Sequence, residues 1–250
     1  MSGLPLFYRS VEPLNSTDHR NFRMSALSQP LAFAATSHLI PAVVDEFPAA
    51  AREMAIVFVP AGRQFAPVFL CGMKAGENLF IDEAGRWTGT YVPAYLRRYP
   101  FMLGERQDAD PVICIDGRYE GFGETEDGIR LFDDEGAPSE ALQPIIKLVT
   151  DYALAARRTE ALSERLGALD LFKSISVDVS RGDGSQSASI HGLAIVDEEK
   201  LNALPDEAWL DLRRSGALGV IHAHLFSIGA TQALAGRLTR GAPQPADQAA

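Results

Sequence analysis

The first half of the chain alternates short apolar runs with polar breaks that contain glycine. Residues 54–59 are continuously apolar, as expected for a strand buried on both faces, and residues 60–64 after them have turn chemistry. Short strands between glycine turns are typical of an antiparallel or mixed sheet. The pattern predicts strands at residues 39–44, 54–59, 65–72, 78–81, 112–115 and 128–132.

From residue 138 the apolar positions recur every three or four residues, which is the period of a helix. This stripe predicts one long amphipathic helix, with Ser139 as its N-cap and with Gly167 ending or loosening it. The members of the stripe are Leu142, Ile145, Val149, Tyr152, Ala156, Leu162, Leu166 and Leu169.

A β-hairpin is predicted after this helix. Residues 174–179 and 187–195 alternate apolar and polar positions on either side of a polar, glycine-containing turn. The tripeptide Arg181-Gly182-Asp183 is known from cell adhesion, but here it supplies the Gly and Asp that a hairpin turn needs.

Short helices follow the hairpin. Asp197 and Asp206 are each predicted to cap one of them, and Gly216 is predicted to end the second. A last apolar face with helical spacing lies within residues 218–228. Residues 241–250 show no pattern and are predicted to form a disordered tail.

Together these elements predict an α+β fold. A β-rich part with a mixed or antiparallel sheet spans residues 1–135, and it packs with a helix-rich part, residues 136–240, that contains the hairpin. No linker separates the two parts, so the alternative is that they form a single globule.

The chain is acidic, which changes the range of partners that we expect. Its 250 residues contain 23 Lys or Arg and 33 Asp or Glu, so the formal net charge is −10. Nucleic-acid binding needs a concentrated basic face, so no nucleic-acid partner is expected, and acidic membrane surfaces are disfavoured. No run approaches the ~20 apolar residues of a membrane-spanning helix. Without the features of a secretory signal at the start, a cytoplasmic protein is expected.

Several motifs of common activities are missing from the sequence. It has no G-x-x-x-x-G-K-[ST], no G-x-G-x-x-G after a strand, no H-E-x-x-H and no G-x-S-x-G. We therefore expect no cofactor and no metal. His222 and His224 could chelate a metal from a strand, but helical spacing turns them about 200° apart, which favours packing or capping. The acidic segment 120–135 lacks the spacing of a calcium loop and is interpreted as solvated loops.

A few residues are candidates for acid, base or nucleophile. Cys71 and Cys114 each lie in an apolar stretch and are interpreted as buried reduced thiols, not as a disulfide framework. The alternative of an enzyme with an unrecognised site draws its chemistry from His38, Asp45, Glu46 or Cys71. Such an enzyme needs these groups to converge in one pocket.

The most unusual stretch is residues 86–101, named here the Arg/Tyr segment, which is the most basic part of an acidic chain. Three of its tyrosines are spaced by four, so a helix would align them on one face. Aromatic rings and arginines are enriched at interface hot spots, and the arginine fork captures carboxylates or phosphates. The competing interpretation is that Arg97 and Arg98 pair with the chain's own acids while the rings fill the core. The candidate binding residues are Trp87, Tyr91, Tyr95, Arg97, Arg98, Tyr99 and, ahead of the segment, Asn78.

Short stretches over about residues 5–240 carry a family resemblance. The two most specific are Asn78-Leu79-Phe80 and Arg97-Arg98-Tyr99-Pro100-Phe101. Others are His38-Leu39-Ile40-Pro41, Leu131-Phe132-Asp133 and Gly192-Leu193-Ala194-Ile195-Val196-Asp197. In these stretches the chain resembles the bacterial SapC family, which is distinct from the peptide-transporter permease of the same name.

The resemblance implies a setting and no catalytic residues. The family takes its name from a surface-layer locus. Many members lie beside genes for outer-membrane TonB-dependent receptors, cupin-like proteins and tryptophan-halogenase-like flavoproteins.

Three hypotheses follow from the residues and the resemblance together. The first is a non-catalytic binding or accessory protein whose Arg/Tyr segment engages an anionic small molecule or a partner protein. That partner would be a flavoprotein, a cupin-like protein or an outer-membrane receptor system. The second is an enzyme that acts alongside a flavoprotein neighbour. The third is a surface-layer component that leaves the cytoplasm by a signal-independent route.

Overall fold

The computed structural model describes residues 4–106, 109–124, 128–180 and 186–240. Within these residues the strands are β1 (Val11–Pro13), β2 (Arg23–Met24), β3 (Leu39–Pro41), β4 (Ala55–Ala61), β5 (Gln64–Leu70), β6 (Phe101–Arg106), β7 (Ala109–Asp116), β8 (Phe122–Gly123), β9 (Ile129–Arg130), β10 (Phe172–Ser180) and β11 (Gln186–Val196). The helices are α1 (Phe47–Ala50), α2 (Ala94–Arg97), α3 (Leu142–Ala168), α4 (Glu198–Asn202), α5 (Asp206–Arg214), α6 (Ala217–Ser227) and α7 (Ala230–Arg240). The fold is α+β with a helix-rich second half, as the sequence predicts.

The largest sheet has five antiparallel strands in the order β10-β11-β4-β5-β3. Its centre is the β4–β5 ladder, in which Ile56 lies opposite Phe69. Successive residues at the start of β4 are all buried, so both faces of the sheet are covered there. The strands predicted at 54–59 and 65–72 are therefore confirmed. The sheet joins strands from both sides of the boundary predicted at residue 135.

The strand predicted at residues 78–81 is wrong. Leu79 and Phe80 form a turn, in which the Asn78 side-chain oxygen accepts a hydrogen bond from the Phe80 N–H (3.0 Å), and Ile81 makes only an isolated β-bridge with Trp87. An asparagine that bonds the backbone two residues ahead favours a turn over a strand. The strand predicted at 39–44 is shorter than expected, because β3 ends at Pro41 and the chain then makes a 3-10 turn.

A second sheet, in the order β1-β7-β6, contains a strand that the sequence pattern does not reveal. β6 begins at Phe101, the last residue of the Arg/Tyr segment, and Phe101 lies opposite Ile115 of β7. The strand predicted at 112–115 is confirmed within β7. A third, small sheet has the order β8-β2-β9 and includes part of the strand predicted at 128–132.

The long amphipathic helix is confirmed as α3. The Ser139 hydroxyl accepts a hydrogen bond from the Leu142 N–H (3.2 Å), but Ala141 occupies the N-cap of α3, so the cap predicted at Ser139 is wrong by two positions. Gly167 lies inside α3 and does not end it. The helix packs against β5 and β6, which places Tyr152 beside the end of the Arg/Tyr segment.

The predicted hairpin is confirmed as the antiparallel pair β10–β11, and Asp197 caps α4 as predicted. Asp206 is the first residue of α5 and Pro205 occupies the N-cap, so the cap predicted at Asp206 is wrong by one position. Gly216 ends α5 with a φ of +78°, which glycine adopts easily. The Arg181-Gly182-Asp183 turn and the tail 241–250 lie outside the described residues.

A buried histidine ties α6 to the central sheet. The Nε2 of His224 accepts a hydrogen bond from the Val196 N–H (3.0 Å), so its Nδ1 donates to the Ile56 carbonyl (2.9 Å). The Ser227 hydroxyl accepts a bond from the Ile56 N–H (2.9 Å). These side chains satisfy backbone groups where the β4–β11 ladder stops. His222 is exposed, so the packing role favoured for this pair is confirmed for His224.

Helices α6 and α7 together form one stretch, Ala217–Leu238, that is long and apolar enough to cross a membrane by length and composition alone. The sequence pattern does not single it out, because polar residues interrupt the apolar run. A third of the stretch is buried in the protein, and α6 packs against β4 and β11. Buried core helices of soluble proteins reach the same length and composition.

Candidate functional site

The Arg/Tyr segment folds around a buried carboxylate. Glu46 lies in the 3-10 turn before α1, where its Oε1 accepts hydrogen bonds from the Ala94 N–H (2.6 Å) and the Tyr91 hydroxyl (2.9 Å). The first N–H groups of a helix have no partner within the helix, so an acceptor at this point stabilises α2. Burial raises the pKa of Glu46, and the hydrogen bonds oppose that shift. Glu46 therefore anchors the start of α2.

The three tyrosines of the segment do not share one helix face. Only Tyr95 lies in α2, which is four residues long, so the predicted alignment of Tyr91, Tyr95 and Tyr99 is wrong. Their hydroxyls donate to three separate acceptors, which are the Glu46 carboxylate, the Leu6 carbonyl and the Asp116 carboxylate.

Arg98 follows α2 directly and lies among aromatic rings. It is 8% exposed. Its guanidinium carbon lies 4.4 Å from the ring centroids of Tyr95 and Tyr152 and 5.6 Å from that of Tyr8. Each such cation–π contact contributes about 0.5–2 kcal/mol. We name the three rings around Arg98 the tyrosine cage.

The tyrosine cage does not neutralise the charge that it surrounds. Within the described parts of the chain, no carboxylate forms an ion pair with Arg98. Its Nε is buried with no hydrogen-bond partner, although the guanidinium does bond the Tyr95 hydroxyl. Burial raises the pKa of all three cage tyrosines, and the positive charge of Arg98 opposes this. An unneutralised buried charge is costly, by several kcal/mol.

Arg98 lines a cleft of about 450 Å³ between α3, β6 and β7. Pockets of this size hold small molecules. The walls of the cleft are mostly apolar, and their apolar part consists of Leu103, Pro111, Tyr152, Ala153, Leu154 and Ala156. Leu154 is 48% exposed, so part of its apolar surface is open at the cleft.

Four charged side chains line this cleft, and their formal charges cancel. Arg157 of α3 pairs with Glu105 of β6 (2.9 Å), and both side chains are largely exposed, at 67% and 79%. Glu160 is also exposed. Arg98 is the buried member of the four. An exposed ion pair contributes only about 0–1 kcal/mol, so the Arg157–Glu105 pair can open readily.

Of the seven predicted binding residues, only Arg98 lines the cleft. Trp87 stacks on Phe80, with ring centroids 5.0 Å apart and planes 13° apart, and Arg237 of α7 packs 4.1 Å from the Phe80 ring centroid. Asn78 is buried, and its amide donates to the Ala34 carbonyl (3.3 Å). The structure gives both residues contacts that hold the segment in place.

The neighbours of Arg98 in sequence also lie outside the cleft. Arg97 is exposed, and its Nε donates to the Val92 carbonyl (3.0 Å). Like Arg98, it forms no ion pair with any carboxylate of the described residues. Arg97 and Arg98 therefore do not pair with the chain's described acids, whereas Arg86 pairs with Asp82 (3.1 Å) and Tyr95 and Leu96 belong to the core.

Asp116 fixes the other end of the segment. It is fully buried and accepts hydrogen bonds from the Tyr99 hydroxyl (3.0 Å) and the N–H groups of Arg9 (3.0 Å), Ser10 (2.9 Å) and Arg118 (3.2 Å). Burial raises the pKa of Asp116, but the hydrogen bonds lower it by a larger amount, so the pKa lies below its ordinary value. Asp116 holds the segment against the chain that leads into β1.

The four residues considered for catalysis differ in their surroundings, although the Cys71 N–H donates to the His38 carbonyl (2.8 Å). Asp45 is exposed and ion-paired to α3, while Glu46 holds α2. Cys71 is fully buried and burial raises its pKa, which disfavours the reactive thiolate. Burial lowers the pKa of His38, against the opposing charge of Glu77.

Metal-ligating side chains are also dispersed in the residues that the structure describes. No group of three or more His, Cys, Asp or Glu among them is placed to hold a metal ion. Cys71 and Cys114 are free and buried, as the sequence predicts.

Sequence reasoning missed the residues that build the cage and cleft outside the Arg/Tyr segment. Tyr8 stands alone in the irregular start of the chain and gives no pattern. Tyr152 is an aromatic residue with a polar hydroxyl in the otherwise aliphatic stripe of the long helix. This difference was the signal in the sequence that could have pointed to it. The cleft walls come from α3, β6 and β7, which only the fold brings together.

The comparisons with known proteins identify the family of this chain but no individual relative. The SapC family model matches residues 14–234, which include the Arg/Tyr segment and every residue of the cleft. The comparison with curated proteins and the comparison with solved structures each gave no match. The family match covers most of the chain, and the chain therefore belongs to the SapC family.

Proposed function

We propose that this SapC-family chain is a non-catalytic binding protein that holds an anionic small molecule against Arg98. The observation that carries the proposal is a buried guanidinium with no ion-pair partner among the described residues, lining a cleft of about 450 Å³.

A bound anion would neutralise the buried positive charge of Arg98. The three rings of the tyrosine cage compensate part of the desolvation of the guanidinium, but they carry no net charge. A carboxylate or phosphate in the cleft would add charge-assisted hydrogen bonds, which are about twice as strong as neutral ones.

The chemistry of the surroundings supports binding rather than turnover. None of the four residues considered for catalysis lines the cleft. Partner proteins, such as the flavoprotein that the family resemblance implies, would then receive or deliver the bound molecule.

The proposal is tested by thermal unfolding with three probe anions: octanoate, octyl phosphate and inorganic phosphate. The proteins are wild type, Arg98→Met and, as matched control from the same turn, Arg97→Met. An anion at 100 times its Kd adds about 2.7 kcal/mol to the folded state. For a chain of this size that raises Tm by roughly 5–10 °C. At least one probe should do so for wild type and Arg97→Met but not for Arg98→Met.

The proposal is overturned if none of the probes raises Tm, or if Arg98→Met responds as wild type does. Arg98→Lys serves as the second variant should Arg98→Met fail to fold. It keeps the charge but loses the fork, and the shift should shrink by more than half.

A further inference from the structure

We infer that the cleft selects a monocarboxylate with an apolar body, such as a medium-chain or aromatic acid. The inference rests on the proposed function, because it specifies the class of anion that Arg98 holds. Three features of the same cleft support it: the walls, the charge balance and the ring contacts of the guanidinium.

The walls favour an apolar body. Leu103, Pro111, Ala153 and Leu154 present aliphatic surface next to a single buried charge. Leu154 is 48% exposed, and apolar surface left open in a concave site gains most from an apolar ligand. A small hydrophilic anion would leave this surface uncovered.

The charge balance favours a single negative charge. Arg98 is available to a ligand, whereas Arg157 is already paired with Glu105. Glu160 adds another carboxylate to the same cleft, and it forms no ion pair among the residues that the structure describes. A second negative charge on the ligand would therefore meet Glu105 and Glu160 instead of a free cation. A phosphate monoester carries about −1.5 to −2 charges at pH 7, and so it is disfavoured with the dicarboxylates.

The ring contacts of the guanidinium favour a flat acceptor. The rings of Tyr95 and Tyr152 each lie 4.4 Å from the guanidinium carbon, so the aromatic rings occupy space next to the planar group. The N–H groups at the edge of the guanidinium are the donors that a ligand would use. A carboxylate pairs with this edge through two parallel hydrogen bonds in one plane.

The test is isothermal titration calorimetry of the full chain with four ligands that share an eight-carbon body. These are octanoate, octyl phosphate, the dicarboxylate suberate and uncharged octanol. Octanoate should bind at least tenfold more tightly than each of the other three. Arg98→Lys should weaken octanoate at least tenfold, and Leu154→Ser, a change at a half-exposed position, should weaken it severalfold. Arg97→Lys is the matched control and should leave the affinity unchanged.

The outcomes separate the two levels of the claim. If octyl phosphate or suberate binds as tightly as octanoate, and Arg98→Lys weakens it, the inference is overturned while the proposed function stands. If uncharged octanol binds as tightly as octanoate, the affinity comes from the apolar walls without Arg98. The inference and the proposed function are then both overturned. If none of the four ligands binds in a way that depends on Arg98, both claims fail as well.

Discussion

The guanidinium carbon of Arg98 lies 4.4 Å from the ring centroid of Tyr152, in a contact between the end of α2 and the middle of α3. The guanidinium of Arg98 is therefore shielded from water, and it lies in the wall of the cleft. The rings of Tyr8 and Tyr95 compensate part of the free-energy cost of removing the guanidinium from water, but no described carboxylate neutralises its charge. A buried charge without a counterion does not stabilise the fold, so binding of a ligand explains the position of Arg98 better than a structural role does.

Replacing Arg98 should therefore not harm the fold. Methionine has a similar length, and exchanging a buried charge for apolar volume is often neutral or stabilising by about 1–4 kcal/mol. We expect Arg98→Met to keep or increase the free energy of unfolding, measured by urea denaturation. Arg98→Lys, which keeps the charge but loses ring contacts, should be less stable than Arg98→Met. A loss of several kcal/mol in Arg98→Met would show that Arg98 is a structural residue instead.

Neutralising the cleft rim should relax its discrimination against dianions. In Glu105→Gln a carboxylate that faces the cleft becomes neutral, which removes about 1 kcal/mol of repulsion, or roughly a fivefold change in affinity. We expect suberate to bind about fivefold more tightly to this variant, with octanoate changing less. Calorimetry measures both. Glu207→Gln, an exposed change outside the cleft, is the control. Equal gains for both dianion and monoanion would contradict the charge argument.

The stability of the protein should fall between pH 6.5 and pH 4 in a way that depends on His224. Burial lowers the pKa of His224 from 6.5 to about 4. Below pH 6.5 the unfolded chain therefore takes up a proton that the folded chain does not, so unfolding is favoured as pH falls. The full effect is roughly 3 kcal/mol by pH 4.

Urea denaturation across this pH range measures the His224 contribution. His224→Gln should be less stable at pH 7 and should show a flatter loss towards pH 4 than wild type. The exposed His222→Gln should follow the wild-type curve. An unchanged slope in His224→Gln would refute the assignment of this pH dependence.

Asp116 should be a large contributor to stability. Its carboxylate accepts four hydrogen bonds while fully buried, so Asp116→Ala leaves several donors without an acceptor. We expect a loss of roughly 3–5 kcal/mol, with Tyr99→Phe losing about 1–2 kcal/mol because only one bond is removed. Chemical denaturation decides the point. A smaller loss in Asp116→Ala than in Tyr99→Phe would contradict the network.

Local patterns in the sequence were enough to find β4, β5, the hairpin and α3. Each of these depends on the spacing of apolar residues within one segment, which the chain displays directly. The strand predicted at 78–81 failed because the side chain of Asn78 bonds the backbone and makes a turn. β6 was missed because Phe101 ends a segment whose aromatic spacing imitates a helix.

The candidate site could be located only in part. The Arg/Tyr segment was found from its composition, and it does contain Arg98. The burial of Arg98 depends on Tyr8 and Tyr152, which lie far away in sequence and meet only in the fold. No spacing rule joins such positions. Sequence alone therefore could not separate Arg98, which lines the cleft, from Arg97, which is exposed outside it.

Whether an apolar carboxylate contacts Arg98 can be observed directly by NMR of the arginine guanidinium groups. The full chain, labelled with 15N in arginine, is titrated with octanoate. The resonances are assigned with Arg98→Lys and Arg97→Lys. The account predicts that the Arg98 guanidinium signals shift and saturate while those of Arg97 stay in place. Unmoved Arg98 signals at saturating octanoate, or equal shifts at both arginines, would contradict it.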